Sequence, residues 1–315
     1  MGGGKVIGMS YIDTSFAKGT GHIPLCRVHY LSPNTNQVCT AGIADIVNKD
    51  ANNVVARVVN GCVTDSNVVT VRPQWFLEGP YNGAGSMGDL LRAQDVIPLS
   101  GPHTGPGFVY VNGGGGEIVP ESILDITDND AIEDRVLVEL HSSTTPPLVL
   151  ATRSALVQRG GDAVGIDGTS PVLLNVPPGS YHVAVRHRNY LGVMTATPRG
   201  LSGTAVTVDL RTSSTATFGT EARKNVNGYM VMWSGNVFRD GAVSSIRYTG
   251  QNNDRDPILT VIGGITPTAF VGGYLHEDMD LSGFVKYTGA GNDRDPILVN
   301  IGGLIPTNTR TEQLP

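Results

Sequence analysis

Residues 247–268 read Arg-Tyr-Thr-Gly-Gln-Asn-Asn-Asp-Arg-Asp-Pro-Ile-Leu-Thr-Val-Ile-Gly-Gly-Ile-Thr-Pro-Thr, and residues 286–307 read Lys-Tyr-Thr-Gly-Ala-Gly-Asn-Asp-Arg-Asp-Pro-Ile-Leu-Val-Asn-Ile-Gly-Gly-Leu-Ile-Pro-Thr. The second block lies 286 − 247 = 39 residues after the first. A block this long, with Asn-Asp-Arg-Asp-Pro-Ile-Leu and Ile-Gly-Gly kept, is one structural unit used twice. Just before the second copy stands Asp278-Met279-Asp280-Leu281-Ser282-Gly283-Phe284-Val285. Oxygen-bearing side chains at alternate positions, then glycine, then an apolar residue, form the opening of an EF-hand-type calcium loop.

In such a loop the side chains at positions 1, 3 and 5 converge because glycine at 6 lets the backbone turn sharply; position 7 offers a carbonyl and a later acid closes the shell. Asp278, Asp280 and Ser282 occupy 1, 3 and 5, and Phe284 supplies the carbonyl. The closing acid is displaced: counted from Asp278, Asp293 falls at position 16 and Asp295 at 18, and a four-residue insertion, Gly289–Asn292, accounts for it if Asp293 closes the site. The first copy, Asn236-Val-Phe238-Arg-Asp240-Gly241-Ala242-Val243, has phenylalanine where position 3 needs oxygen. Asn236, Asp240, the Ala242 carbonyl and Asp254 or Asp256 would form a depleted site. The plainer reading of both loops is an Asx-type turn whose carboxylates cap backbone N–H groups. Asp before Pro, and Gly-Gly after the apolar run, predict a short helix in each copy, from Asp256 to Ile262 and from Asp295 to Ile301.

At 315 residues the chain can hold two or three domains. Charged residues make up only 16%, while glycine (41) and proline (19) are abundant, which favours short strands joined by tight turns. A net charge of −6 argues against a nucleic-acid partner. Cys26, Cys39 and Cys62 are odd in number, so at most one disulfide forms within the chain. Their clustering favours a local staple in an oxidising compartment; the alternative is three buried thiols. No run of about 18 apolar residues offers a membrane span, and Met1–Lys5 carries no apolar run of the secretory-signal type.

Three segments follow. Residues 1–70 are strand-rich. Lys5–Ile12 alternates, with Ile7, Met9 and Tyr11 on one face. It reads as a strand that pairs within its own domain or adds to the sheet edge of a neighbouring subunit. Ala41–Val47 fits a helix, and Val54–Val59 and Val68–Val71 fit strands. Residues 71–222 read as one antiparallel β-sandwich. Its strands are Arg135–Leu140 (Val136, Val138 and Leu140 inward), Leu148–Gln158, Pro171–Val176, Tyr181–Arg188 and Ala205–Leu210. In Tyr181–Arg188, Tyr181, Val183 and Val185 point inward and His182, Ala184 and Arg186 outward. Met87–Asp95 is a short helix. Residues 223–315 carry the tandem.

The stretch Pro177-Pro-Gly-Ser-Tyr-His-Val-Ala-Val185 resembles a corner of transthyretin-like and immunoglobulin-like accessory domains of secreted bacterial proteins. The tandem resembles the dockerin half-repeat. Phe76–Tyr81, Ala151–Leu156, Val183–Asn189 and Leu191–Thr195, followed by the two repeats, resemble the C-terminal region of large secreted surface proteins of gliding-type Gram-negative bacteria. The resemblance implies a secreted, cell-surface location and this architecture, and no particular activity.

Other chemistry is sparse. Asn112–Glu117 is glycine-rich, but no Lys-Ser/Thr follows, so it is no phosphate loop. Ile166-Asp167-Gly168-Thr169 reads as a hairpin turn. Arg186-His187-Arg188 is the solvated end of a strand, or a spot for a sugar or an acidic partner. No G-x-S-x-G or H-E-x-x-H is present. The expectation is a non-enzymatic, calcium-stabilised extracellular structural protein, a surface filament or adhesin subunit whose partners are copies of itself. The alternative is an attachment or glycan-binding accessory region of a secreted enzyme.

Overall fold

A computed structural model describes residues 37–39, 62–64, 68–239 and 244–315. The chain forms two compact units, Met1–Asp65 and Ser66–Pro315. In the first, Gln37–Cys39 pairs antiparallel with Cys62–Thr64, in a register that sets Cys39 opposite Cys62. The expected Lys5–Ile12 strand, Ala41–Val47 helix and Val54–Val59 strand lie outside the described residues. Among the described residues no helix is long and apolar enough to cross a membrane.

The second unit is mostly β and contains both the expected strand domain and the tandem. Its largest sheet runs in the order Tyr190–Met194, Gly179–His187, Ile132–His141, Val149–Gln158, Ala163–Val164, with Arg199–Leu201 also pairing to Gly179–His187. A three-stranded sheet places Val69–Gln74 between a parallel Val206–Asp209 and an antiparallel Val172–Leu174. Val69 and Val71 from this sheet join Val136, Val138, Leu140, Val183 and Val185 from the large one in a single apolar cluster. The hydrophobic faces that alternation predicts therefore meet each other.

The opposite face of the large sheet departs from expectation. A one-sided sheet would leave Glu133, Arg135, Glu139, His182 and Ala184 in water, yet all are buried. The segment from Pro98 to Glu117 covers part of this face. Arg135 donates to the carbonyls of Pro98 (3.2 Å), Leu99 (2.7 Å) and Glu117 (3.1 Å), which replaces the water its guanidinium gave up. Glu139 accepts from His141 (2.9 Å) and Arg186 (3.2 Å). Arg186-His187-Arg188 is not a solvated strand end: His187 and Arg188 are fully buried, and both donate to the Asp134 carboxylate.

The two repeats interlock. Each supplies a short strand, a short helix and a second strand: Ser245–Arg247, Arg255–Val261 and Phe270–Gly272 in the first, Phe284–Lys286, Arg294–Asn300 and Thr309–Thr311 in the second. Neither pairs its own two strands. Ser245–Arg247 pairs with Thr309–Thr311, and Phe284–Lys286 pairs with Phe270–Gly272. Reciprocal side-chain bonds repeat the pattern: the Thr249 hydroxyl donates to Pro306 O (2.9 Å) and the Thr288 hydroxyl to Pro267 O (2.9 Å). Ile258, Ile262, Ile297 and Ile301 converge with Ile246, Val285 and Leu191 in a second apolar cluster. The helices begin one residue earlier than the Asp-Pro reading predicts, because Asp254 and Asp293 hold the cap position while their carboxylates turn back into the preceding loop. The Gly-Gly stops behave as expected, with Gly263, Gly264, Gly302 and Gly303 all at positive φ.

Interlocking predicts that the repeats unfold together. Ile258→Ala and Ile297→Ala, one in each copy, should each cost about 2–5 kcal/mol. They should lower the same transition in chemical denaturation rather than produce two separate ones.

Candidate metal centre

Asp278 and Asp280 sit on the loop after Phe270–Gly272, and Asp293 stands at the start of the second helix. Their carboxylates converge, with one oxygen from each lying within 4.8 Å of the others; Asp278 and Asp293 are buried and Asp280 is half-buried. The loop turns through Leu281 and Gly283, both at positive φ, which only glycine adopts without strain. Backbone N–H groups fix the carboxylates. Ser282 N donates to Asp278 Oδ1 (3.0 Å) and to Asp280 Oδ1 (3.1 Å), and Gly283 N donates to Asp278 Oδ2 (2.8 Å). Met279 N and Lys286 N hold the two oxygens of Asp293 at 2.6 and 2.7 Å.

The other expected ligands fall into different roles. The Ser282 hydroxyl donates to the Phe284 carbonyl (3.1 Å), so these two are joined to each other. Asp295 is bound by Asn292 and Arg294, and Asp256 by Asn253 and Arg255; the Asn amide, more than the guanidinium, holds each carboxyl below its ordinary range. Neither belongs to the cluster. In the first copy Asp254 does the work of Asp293, accepting from Phe238 N (2.8 Å) and Arg247 N (2.7 Å). Asn236 is fully buried, and neither of its side-chain polar atoms has a hydrogen-bond partner among the described residues. Asp240 and Ala242 lie outside the described residues, and among the described residues no acidic trio forms in this copy.

Burial dominates the electrostatics. It pushes the Asp278 carboxyl up to about 8, against the pull of Arg188 and with a further push from Asp293. It lifts Asp293 to about 7 and, in the first copy, Asp254 to about 7. Among the described residues no ammonium or guanidinium touches these carboxylates, and carboxylates this close either take up protons or gather around a cation. Hard oxygen donors in a flexible turn suit calcium better than a transition metal.

What positions the acid-bearing loop comes from the large sheet. The Asn189 side-chain amide donates to His276 O (2.8 Å) and Asp278 O (2.6 Å). The Tyr190 hydroxyl donates to Met279 O (2.8 Å) and accepts from Gly79 N (3.0 Å). Arg188 donates to Leu275 O (3.3 Å) and lies over the Tyr274 ring, 4.0 Å from its centroid. Gly79 is a steric requirement, since a Cβ there would stand 2.2 Å from Met279 O and 2.7 Å from Asp280 Cα. Sequence reasoning did not assign Asn189, Tyr190 or Gly79 to the site; the one signal was the placement of Arg-Asn-Tyr directly after an alternating strand. Comparison with protein-family models, with curated protein sequences and with solved structures found no match.

The raised carboxyls set a pH dependence. Asp254, Asp278, Asp293 and the buried Glu133 (up to about 8) keep protons in the folded state that the unfolded chain releases near its ordinary carboxylate range. Each therefore makes the metal-free fold less stable as pH rises through its folded value. His103, His187 and His276, lowered to about 3, 3 and 4 mainly by burial, act in the opposite direction, but only below the ordinary histidine value near 6.5. Between about pH 6.5 and 8 these carboxyls are, among the described residues, the groups whose shifts bear on stability. With chelator present, Tm should fall over that interval; with millimolar calcium the fall should shrink or reverse. Asp293→Asn should remove the calcium response, and it should lower the chelated Tm because its amide nitrogen would face an N–H that a carboxylate oxygen now accepts from.

Proposed function

We propose that this chain is a non-enzymatic, extracellular structural protein. It is a self-assembling subunit of a surface filament or adhesin, in which calcium folds and stiffens the C-terminal tandem. The observation that carries the proposal is the convergence of Asp278, Asp280 and Asp293 on an EF-hand-like turn. The helices beside it have only seven residues each, too short to stand alone, so a cation that neutralises the buried acids would contribute directly to folding. The helices end at Gly-Gly and cross-pair through strands, a rigid arrangement unlike the opening helix pairs of calcium sensors. The tandem is thus a calcium-locked end-piece of the dockerin-like kind. The two sheets around one apolar cluster are read as an immunoglobulin- or transthyretin-like sandwich.

Two features support a structural role. Among the described residues the polar pair nearest to an activated nucleophile is His103 Nε2 with the Ser154 hydroxyl, at 3.1 Å. Both residues are buried, and among the described residues His103 Nδ1 has no hydrogen-bond partner, so the third group that orients the base of an activated nucleophile is missing from this pair. The three-stranded sheet has Val206–Asp209 and Val172–Leu174 at its edges, each paired within the sheet on one side only. An open edge is where the segment Lys5–Ile12 of another copy, alternating in sequence, would add as a strand, and such head-to-tail contacts make fibres when the rotation does not close.

Electron microscopy of the purified chain in calcium should show filaments. Deleting residues 1–12 should leave a folded protein that does not polymerise. Fibres from the truncated chain would overturn the strand-donor mechanism, and equal Tm in calcium and chelator would overturn the role of the metal.

A further inference from the structure

The two copies of the repeat serve as controls for each other. A cavity of about 580 Å³ opens beside the first copy, where Phe238 faces the Gly250–Asn253 loop, Asp256 and Glu277. Phe238 occupies the position held by Asp280 in the second copy, and it is 36% exposed. Exposing an aromatic ring is costly, and the core does not require this one, because it belongs to neither apolar cluster. Tyr248, Tyr274, Tyr287, Phe108 and Trp233 each carry an arginine or lysine over the ring, whereas Phe238 has no ring or cation contact among the described residues.

Differences between the copies extend around the same cavity. Gly250, Asn253, Asp256 and Pro257 are matched by Gly289, Asn292, Asp295 and Pro296, so the frame is common to both. Gln251, Asn252 and Thr260 line the first-copy cavity, and the second copy has Ala290, Gly291 and Val299 in their places. The first copy thus carries two planar amides and a hydroxyl where its sister has none, the hydroxyl donating to Asp256 O (2.9 Å). Gln251 and Asn252 are exposed, and their side chains make no hydrogen bond among the described residues. Asn252 keeps φ at +56° although its sister position is glycine. A non-glycine residue in left-handed backbone carries strain, which the retained amide would have to offset.

We infer that this face of the first repeat is a shallow binding site for a neutral polysaccharide. A partly exposed aromatic ring stacks on the C–H face of a pyranose, planar amides accept from and donate to its hydroxyls, and carboxylates accept from them. Among the described residues no lysine or arginine lines the cavity, while Asp256 and Glu277 do, so an acidic polysaccharide would be repelled. The site stands apart from the cation reading, because Asp278, Asp280 and Asp293 take no part in it. At equivalent positions the first copy thus carries a ring suited to sugar stacking and the second carries Asp280 of the acidic trio.

Native gel electrophoresis of the full chain through gels containing dextran, laminarin, hydroxyethylcellulose or polygalacturonate tests the assignment. At least one neutral polymer should retard the protein. Phe238→Ala should reduce that retardation at least tenfold, and the double variant Gln251→Ala/Asn252→Gly, which installs the second copy's residues, should reduce it as well. Both variants should keep the wild-type near-ultraviolet circular dichroism. The proposal is overturned if no neutral polymer retards the wild type, if only polygalacturonate does, or if a folded Phe238→Ala variant is retarded as strongly as the wild type.

Discussion

The hydrogen bond from the Asn189 amide to the carbonyl of Asp278, with that from the Tyr190 hydroxyl to Met279 O, is the joint on which the second unit depends. It ties the strand at the margin of the large sheet to the loop that carries two of the three convergent acids. Three consecutive residues do the tying, and Arg188 is itself neutralised by Asp134 inside the sheet. A buried guanidinium and a buried carboxylate are tolerated only when each has the other and further hydrogen bonds besides. Here the network runs from Asp134 through His187, Arg188 and Tyr274 to the carbonyl of Leu275. The acid-bearing turn is therefore held by the sheet as well as by its own backbone.

The neighbouring residues carry the joint into both apolar clusters. Tyr190 belongs to the cluster between the two sheets, and Leu191 to the cluster of the repeats. Alternation in a strand sends successive side chains to opposite faces, so one strand serves two cores. Sheet and tandem thus form one unit even though the sequence pattern changes sharply between them.

Much of this was legible because it is local. The 39-residue offset, the glycine that turns the acid-bearing loop and the Gly-Gly helix stops act over a few residues, and the turn brings Asp278 and Asp280 towards Asp293 as the spacing implies. Strand positions followed from alternation, with the inward valines of Ile132–His141 and Gly179–His187 in the shared cluster. The covering of the second sheet face was not legible. It comes from Pro98–Glu117 on one part and, for Arg188 and Asn189, from residues near 275–278, roughly ninety positions away; no periodicity within a strand reports such a lid. Basic residues in sequence look solvated unless their distant partners are known. The early helix starts were missed for a related reason: the acid that should cap the helix instead closes the loop before it.

The last strand has a mechanical consequence. Thr309–Thr311 pairs with Ser245–Arg247, more than sixty positions earlier. Just beyond it Glu312 accepts from Gly192 N (2.6 Å) and Arg186 (2.7 Å). Tension applied beyond residue 312 is thus passed straight to the margin of the large sheet and to the first repeat, before the second repeat's helix bears any of it. The segment around Thr309–Glu312 works as an anchor bolt, so the tandem pulled from that side would resist as a whole rather than unravel one repeat at a time.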